Sequence, residues 1–229
     1  AVARGEPSSY SVVISPPGID RTFLHCPGTN HTFGPEDVPW HLLEQTRLFH
    51  FGYPPVMRRM YCDGGTELST IFRKAKARGA TTSLDVSMPD PSKPSGQADW
   101  RAILALALPY ADLFMPSAEE LLYMLRRERH DELLRAVGAA AMIDALSPEE
   151  IHDLAQEALA LGAKMVGLKL GHRGLYLRTA SDVHDLGRGA PAQVGFGRSA
   201  SFGLPASRWR WLAPSAQATP PSPAFWRGC

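Results

Sequence analysis

Short runs of apolar and β-branched residues alternate along this chain with longer segments whose apolar residues recur at helical spacing. Strands are predicted at 48–51, 81–86, 111–114 and 164–170, and helices at 35–45, 66–79, 100–108, 117–125, 133–145 and 147–162. Strands that alternate with helices of this length form parallel βαβ units. The pattern therefore predicts an α/β fold whose mostly parallel sheet is flanked by helices on both faces.

The two ends of the chain depart from this alternation. Residues 10–14 and 21–25 are extended apolar runs on either side of the turn-forming segment Pro-Pro-Gly-Ile-Asp, and together they predict a β-hairpin. After Ser181 no helical or strand periodicity is evident, and from Leu212 onward the sequence is mostly Ala, Pro and Ser. On composition alone this segment is typical of a disordered tail.

Bulk composition excludes several classes of function. The 229 residues carry a formal net charge of +1, with no sustained basic run, which argues against nucleic acid or an acidic membrane surface as a partner. No apolar run is long enough to span a bilayer. The three cysteines, Cys26, Cys62 and Cys229, are widely spaced, and this sparse odd number favours a reducing cytoplasm over a disulfide framework. The chain begins at Ala1 on the approach to a strand, so we expect a missing front segment.

Two charged groupings have simple interpretations. His25 and His31 could act as metal ligands, but a histidine pair without a cysteine or carboxylate partner is a weak signal. The basic residues Arg126, Arg127 and Arg129 are interrupted by a glutamate and are interpreted as a solvated helix end.

Residues that follow the predicted strands are the candidates for ligand binding, because ligands of open parallel sheets bind at the carboxyl ends of the strands. Ser117 and Glu120 have the spacing of a helix capping box, and Glu120 is also placed to organise Mg²⁺ through water. Lys169, Gly171 and Gly174 fit either a tight hairpin or a loop whose backbone meets phosphate.

Two further candidates lie outside these loops. Asp85 ends its strand either as a loop-capping residue or as a polar contact to a ligand, and the sequence leaves both open. Asn30 belongs to a Pro-Gly-Thr-Asn segment that composition favours as a simple turn.

In this order, the motifs of residues 10–179 resemble the PfkB family of ribokinase-type carbohydrate kinases. The family's Asn-x-x-Glu motif falls on Ser117 to Glu120, where the glutamate matches and the serine departs from asparagine. The family's Lys-x-Gly-x-x-Gly loop matches at Lys169, Gly171 and Gly174. The resemblance implies a ribokinase-like fold with part of a small β lid.

The resemblance also implies roles for individual residues. Arg21, Asn30 and Asp85 correspond to substrate-side positions, although Ser87 stands near where many members have asparagine. The Lys169 loop and Ser117 correspond to the nucleotide side, and Glu120 to the metal network. The implied cofactors are ATP and Mg²⁺, and the implied substrate is a sugar or nucleoside.

One motif of the family is absent from the chain. Its Gly-Ala-Gly-Asp segment forms an anion hole and supplies the catalytic base, and no such string occurs here. However, residues 215–229 can be translated back into permitted, G/C-rich codons. When this DNA is read from the third base of each codon, it encodes Gly-Ala-Gly-Asp-Ala-Thr-Ile-Ala-Gly-Phe-Leu-Ala-Gly-Leu. In this register Ala216 to Thr219 become Gly-Ala-Gly-Asp. We therefore predict one frameshift between about Ala190 and Ser199.

These observations divide the chain into three parts. Residues 1–34 are predicted to be a partial β lid on the substrate side, 35–180 the α/β kinase core, and 181–229 an aberrant, frameshifted tail. The predicted function is that of a fragment of an ATP-dependent sugar or nucleoside kinase, inactive as translated. The alternative is a non-catalytic remnant that binds nucleotide or sugar. An exposed edge of the lid hairpin could pair two subunits into a homodimer.

Overall fold

A computed structural model describes residues 5–17, 22–181, 183 and 185–190, and the backbone of 201–204. The hairpin strands are β1 (Tyr10–Ile14) and β2 (Thr22–Cys26), followed by α1 (Trp40–Leu43), β3 (Leu48–Phe51), α2 (Arg58–Tyr61), α3 (Thr66–Ala77) and β4 (Thr81–Leu84). Next come α4 (Pro94–Gln97), α5 (Trp100–Ala107), β5 (Leu113–Phe114), α6 (Ala118–Leu125), α7 (Arg127–Val137), α8 (Met142–Ala145) and α9 (Pro148–Ala160). The last strands are β6 (Met165–Lys169), β7 (Leu175–Thr179) and β8 (Ser201–Leu204).

The main sheet has six strands in the order β3-β4-β5-β6-β7-β8. Strands β3 to β6 are parallel, whereas β6, β7 and β8 pair antiparallel. Parallel pairing brings the carboxyl ends of β3, β4, β5 and β6 to one edge of the sheet. The α/β fold predicted from the alternation of strands and helices is therefore confirmed.

The hydrophobic core lies between this sheet and its helices. Its largest fully buried side chains include Phe72 of α3, Leu104 of α5, Phe114 of β5 and Leu121 of α6. All four residues of β4 are buried, as expected for a strand covered on both faces. Strand β3 was also expected to be buried, but only Phe51 is, because β3 lies at the end of the sheet with β4 as its single described neighbour.

Helix boundaries follow the predicted capping residues where these exist. Ser117 and Ser147 each accept a hydrogen bond from the backbone of the third helical residue, so α6 begins with the expected capping box and α9 begins with a second one. Helical structure predicted over 133–145 is present, but as the end of one helix and the whole of another. Helix α7 already begins at Arg127, and the chain breaks at Gly138, whose φ of 75° lies in the left-handed region.

The basic residues lie at the start of α7, a helix end as predicted, and they form ion pairs while their side chains stay partly exposed. Nε of Arg127 lies 2.9 Å from a carboxylate oxygen of Asp131, and Nε of Arg129 lies 2.9 Å from Oε1 of Glu150. The first ion pair lies within α7, and the second joins α7 to α9.

The predicted hairpin is present as a separate antiparallel sheet in which Tyr10 pairs with Cys26 and Ile14 with Thr22. Its apolar side chains are unusually open to solvent: six of them, Tyr10, Val12, Val13, Ile14, Phe23 and Leu24, are between 47% and 59% exposed. Such a surface marks an interaction site more often than a free surface.

Beyond β7 the chain still packs on the α/β body. Val183 and Leu186 are buried, and the guanidinium of Arg188 donates to the carbonyls of Leu43 and Thr46. The sequence predicted no regular structure after Ser181, whereas β8 pairs with β7 through its backbone. The division at residue 180 and the frameshifted origin of the tail stay predictions. Among the described residues, no helix is long and apolar enough to cross a membrane.

Candidate functional site

The carboxyl-end edge of the sheet brings Asp85 and Lys169 together. Asp85 directly follows β4, and Lys169 is the last residue of β6. Nζ of Lys169 lies 2.7 Å from Oδ1 of Asp85, which also accepts a hydrogen bond from the amide of Val86 at 2.8 Å. The ammonium group is partly open to solvent, so this ion pair contributes at most about 1 kcal/mol. A ligand with its own negative charge could therefore draw Lys169 away at little cost.

Ser117 and Glu120 lie beside this pair, after β5. The amide of Ser117 donates to Oε2 of Glu120 at 2.7 Å, and the amide of Glu120 donates to Oγ of Ser117 at 3.1 Å. The backbone of Ser117 also forms a parallel bridge with Lys169. The structural role predicted for the capping box is thus confirmed, and the box stands next to the strand end that carries the lysine.

Burial raises the pKa of Glu120 above its usual range, an effect only partly offset by the amide of Ser117 and by the positive charge of Lys169. The negative charge of Asp85 raises the pKa further. A divalent cation would remove this penalty. Mg²⁺ commonly takes one or two carboxylates and completes its shell with water and phosphate oxygens, so Glu120 fits such an ion as a single protein ligand or through water.

The turn after Lys169 is a tight hairpin, which was one of the two interpretations open from the sequence. The amide of Gly174 donates to the carbonyl of Gly171 at 3.1 Å, and the amide of Arg173 donates to that of Leu170 at 3.0 Å. Gly171 has a φ of 54°, and a Cβ placed on it would meet nothing within 4 Å. The outer side of the turn is therefore open, as contact with a phosphate group would need.

A cavity of about 480 Å³ lies between the hairpin and the loops that follow β3 and β4. The chain leaves β3 through Tyr53, whose φ of 62° is left-handed, and then contributes Pro55 and Val56 to the wall. Met88, three positions after Asp85, contributes from the β4 side. The full lining is His25, Pro27, His31, Pro55, Val56, Arg58, Tyr61, Cys62, Met88, Asp90, Lys93, Pro94 and Ser95.

Neither of the two substrate-side candidates that the structure describes, Asn30 and Asp85, is a lining residue of this cavity. Asn30 lies in the turn Gly28–His31, where its amide donates to the carbonyl of Pro27 at 2.8 Å, but it is His31 and Pro27 of this segment that reach the wall. Gly28 has a φ of 44° and a Cβ there would lie 2.3 Å from the carbonyl oxygen of Pro7, so the turn needs glycine. Arg21 lies outside the described residues.

Sequence reasoning missed several polar residues of the wall, above all Arg58, Lys93 and Ser95. No motif marks them, although Lys93 stands in the proline-rich loop that follows Asp85. His25 and His31 do line one cavity, as a metal-binding pair would require. However, the part of the chain that the structure describes contains no group of three His, Cys, Asp or Glu side chains able to hold a metal ion.

Solved structures share this fold. The chain matches a ribokinase from Giardia lamblia with 18% identity and a TM-score of 0.52, over 78% of this chain and 46% of that one. It matches a fructokinase with bound ATP from Xylella fastidiosa with 17% identity and a TM-score of 0.53, over 79% and 49%. It matches a PfkB protein from Polaromonas sp. JS666 with 18% identity and a TM-score of 0.52, over 77% and 52%. No protein-family model and no curated protein sequence matches the chain.

These likenesses confirm the ribokinase-like fold that the motif order implied. At such low identity they establish the architecture and leave the chemistry to the residues of the site. The chain spans about half the length of the structures that it matches.

Proposed function

We propose that this chain is part of an ATP-dependent kinase that transfers the γ-phosphoryl group to a hydroxyl of a sugar or nucleoside. The observation that supports it best is the convergence of Asp85, Glu120 and Lys169 at one edge of the sheet, with Lys169 Nζ 2.7 Å from Asp85. The loop that follows Asp85 also contributes Met88 to the wall of the cavity. Phosphoryl transfer depends mainly on positioning and charge stabilisation, which such a cluster supplies.

Each residue has a distinct part in this proposal. Lys169 and the open side of the Gly171 turn face the phosphates, and Ser117 holds the start of α6 in place beside them. Glu120 holds Mg²⁺, which would neutralise phosphate charge when bound. Asp85, Asn30 and Arg21 belong to the substrate side. Release of Lys169 towards phosphate would leave the Asp85 carboxylate free to accept a substrate hydroxyl.

The chain as translated should bind these ligands without transferring the phosphoryl group. Gly-Ala-Gly-Asp, the segment that supplies the base in the family it resembles, is absent from the sequence. Loss of one oxyanion-stabilising donor alone costs about 10²–10³ in rate, and here the base would be lost with it. This absence is the observation that favours the second candidate, a remnant that only binds.

The two candidates are separated by repairing the reading frame. We would compare the chain as translated, the repaired chain, and the repaired chain with asparagine in place of the aspartate encoded across the Ala218 and Thr219 codons. ADP release with ATP, Mg²⁺ and a panel of sugars and nucleosides is the readout. Turnover by the repaired chain alone, at least about 10³ above the other two, supports the kinase. An inactive repaired chain that still binds nucleotide supports the remnant.

Glu120 offers a test of the metal role that spares the fold. Glu120→Gln keeps an oxygen to accept the amide of Ser117, so the capping box survives, but the ligand charge is lost. We expect weaker binding of Mg²⁺ with a non-hydrolysable ATP analogue in calorimetry. Ser117→Ala is the matched control, because it weakens the cap by about 1 kcal/mol and keeps the carboxylate. Equal losses in both variants would mean that Glu120 acts only as a cap.

We also propose a homodimer formed through the β1–β2 hairpin, in the cytoplasm. The two-stranded sheet has open edges in the described structure, and its apolar side chains are about half exposed. A second copy of the hairpin would cover both. The free thiols Cys26 and Cys62 fit a reducing compartment.

A further inference from the structure

The polar wall of the 480 Å³ cavity is unusually rich in cationic and imidazole groups. Arg58, Lys93, His25 and His31 line it, and Asp90 is the single acidic residue among the described lining residues. With both histidines neutral the lining carries one net positive charge, and each protonation adds another. A cavity built for a neutral polyol needs no such excess, since hydroxyl groups require hydrogen-bond partners of both kinds and no net charge.

The single acid in the wall is already neutralised. Oδ2 of Asp90 lies 3.2 Å from Nζ of Lys93, and its Oδ1 accepts hydrogen bonds from the amide and hydroxyl of Ser92 at 2.9 and 2.7 Å. Arg58 has no such partner: within the described part of the chain, no carboxylate forms an ion pair with its guanidinium. Its charge therefore acts on the cavity without compensation.

His25 supplies an independent sign of a missing ligand. Its Nε2 is buried and has no hydrogen-bond partner among the described residues, whereas its Nδ1 lies 2.9 Å from Oγ of Ser11. When Nδ1 accepts a hydrogen bond from the hydroxyl of Ser11, Nε2 carries the ring hydrogen and is a donor. A buried donor without a hydrogen-bond partner costs about 1–3 kcal/mol, so an unpaired donor of this kind indicates a bound group that accepts its hydrogen bond.

The surroundings of His31 agree with this charge distribution. Burial, then the positive charge of Arg58 and of His25, lower the pKa of His31 below its usual value. Burial disfavours any charge, but the positive charges of Arg58 and His25 favour a negative charge at the same place.

We propose that the cavity binds a sugar or polyol bearing an anionic group, a carboxylate or a phosphate, which Arg58 and the Nε2 hydrogen of His25 hold. The apolar wall of Val56 and Met88 packs against the carbon skeleton, and the far hydroxyl is directed towards Asp85. This inference rests on the proposed kinase function, and it narrows the substrate from sugars in general to sugar acids or sugar phosphates.

Calorimetry on the chain as translated tests the inference without any need for turnover. The probes are D-gluconate, D-fructose 1-phosphate and neutral D-fructose, and the variants are Arg58→Gln and Lys93→Met. The matched control is Arg73→Gln, an exposed arginine of α3 outside the cavity. We expect one of the anionic probes to bind at least about tenfold more tightly than fructose, and Arg58→Gln to remove most of that difference. Raising NaCl from about 0.05 M to about 0.5 M should weaken the anionic probe alone.

The two anionic probes also separate the sources of charge, since gluconate carries a carboxylate and fructose 1-phosphate a phosphate. Equal affinity for all three sugars, loss of affinity in Arg73→Gln as large as in Arg58→Gln, or no binding of any probe would overturn the inference.

A repaired chain that phosphorylates only neutral sugars would overturn the inference and leave the kinase function standing. A repaired chain without turnover, whose gluconate binding still depends on Arg58, would overturn the kinase function and leave the anionic site standing.

Discussion

Replacing Lys76 with methionine would remove the main partner of Asp112, the one carboxylate that the described residues bury. Nζ of Lys76 lies 2.7 and 2.8 Å from the two oxygens of Asp112, which is 1% exposed. The carboxylate would keep Nζ of Lys164 at 3.4 Å and the amide and hydroxyl of Thr82 at 2.9 and 3.2 Å. These groups lie at the amino-terminal edge of the sheet, opposite the candidate site.

The expected loss of folding stability depends on which groups remain around the Asp112 carboxylate. Removing one partner of a buried ion pair costs about 3–5 kcal/mol, because the other charge stays desolvated. Lys164 still offers partial compensation, so we expect about 3 kcal/mol for Lys76→Met. In a chain of this size, each kcal/mol shifts the melting temperature by roughly 2–4 °C, which gives a fall of about 6–12 °C. Methionine keeps most of the aliphatic stem, so little of the loss would come from packing.

Urea unfolding followed by circular dichroism would measure the effect, with Arg73→Met on the exposed side of the same helix as the control. A second variant, Lys76→Met with Asp112→Asn, removes the buried charge but keeps an oxygen to accept the amide of Thr82. We expect it to regain at least about 1 kcal/mol over the single variant. If Lys76→Met changes stability by less than about 0.5 kcal/mol, or the double variant is no more stable than it, the account of this buried pair is wrong.

Three other predictions concern the site and the hairpin. Burial raises the pKa of Glu120 above 4.5 in the folded protein. The contribution of Glu120 to folding stability is therefore largest when the side chain is protonated, and it is lost as pH rises through the folded pKa. Glu120→Gln should flatten that part of the pH dependence of urea unfolding, and an unchanged profile would contradict the prediction. Val12→Lys in the exposed hairpin should convert a dimer to a monomer in light scattering, and a monomeric parent chain would refute the dimer. Bound gluconate should raise the pKa of His31, so affinity should increase as pH falls towards 6.5 and below, and a pH-independent affinity would count against the anionic site. The charged groups that act on His31 are Arg58, His25, Glu6 and Lys93.

Sequence reasoning worked best where local chemistry alone determines the structure. Ser117 precedes Glu120 by three positions, and the hydrogen bonds of a capping box join only neighbouring residues of the chain. The βαβ alternation was equally readable, because buried parallel strands are short apolar runs and helices have a distinct apolar period. These two signals were enough to predict the fold class and the edge of the sheet where Asp85 and Lys169 meet.

The start of α7 was predicted at residue 133 and lies at Arg127, because the stability of the first turns depends on tertiary contacts. Its sequence is dominated by charged residues, and only His130 and Leu133 are buried. Arg129, in the first turn of the helix, pairs with Glu150 of α9, which lies 21 positions away and is not connected to it by any local pattern. The sequence therefore could not predict the ion pair between α7 and α9, because its two partners come from distant segments.

The sequence could not predict the cavity, for a related reason. Its wall combines His25 from the hairpin, Arg58 from α2 and Lys93 from the loop before α4. No local motif marks any of the three residues, and only the fold brings them together around one cavity. Motif matching could find Lys169 and Glu120, because they lie in short strings, but it could not find a site assembled from single residues.

The packing of Val183, Leu186 and Arg188 limits where the proposed frameshift can lie. Leu186 is buried, and the Arg188 side chain donates to the carbonyls of Leu43 and Thr46; such side-chain fits are not expected from a segment read in the wrong frame. The pairing of β8 with β7 has no bearing on the frame, because backbone hydrogen bonds do not depend on which side chains are present. We therefore expect the inserted or missing base downstream of the Arg188 codon, within the interval from about Ala190 to Ser199. Sequencing the source DNA through this interval checks the prediction, and a shift found upstream of Leu186 would contradict it.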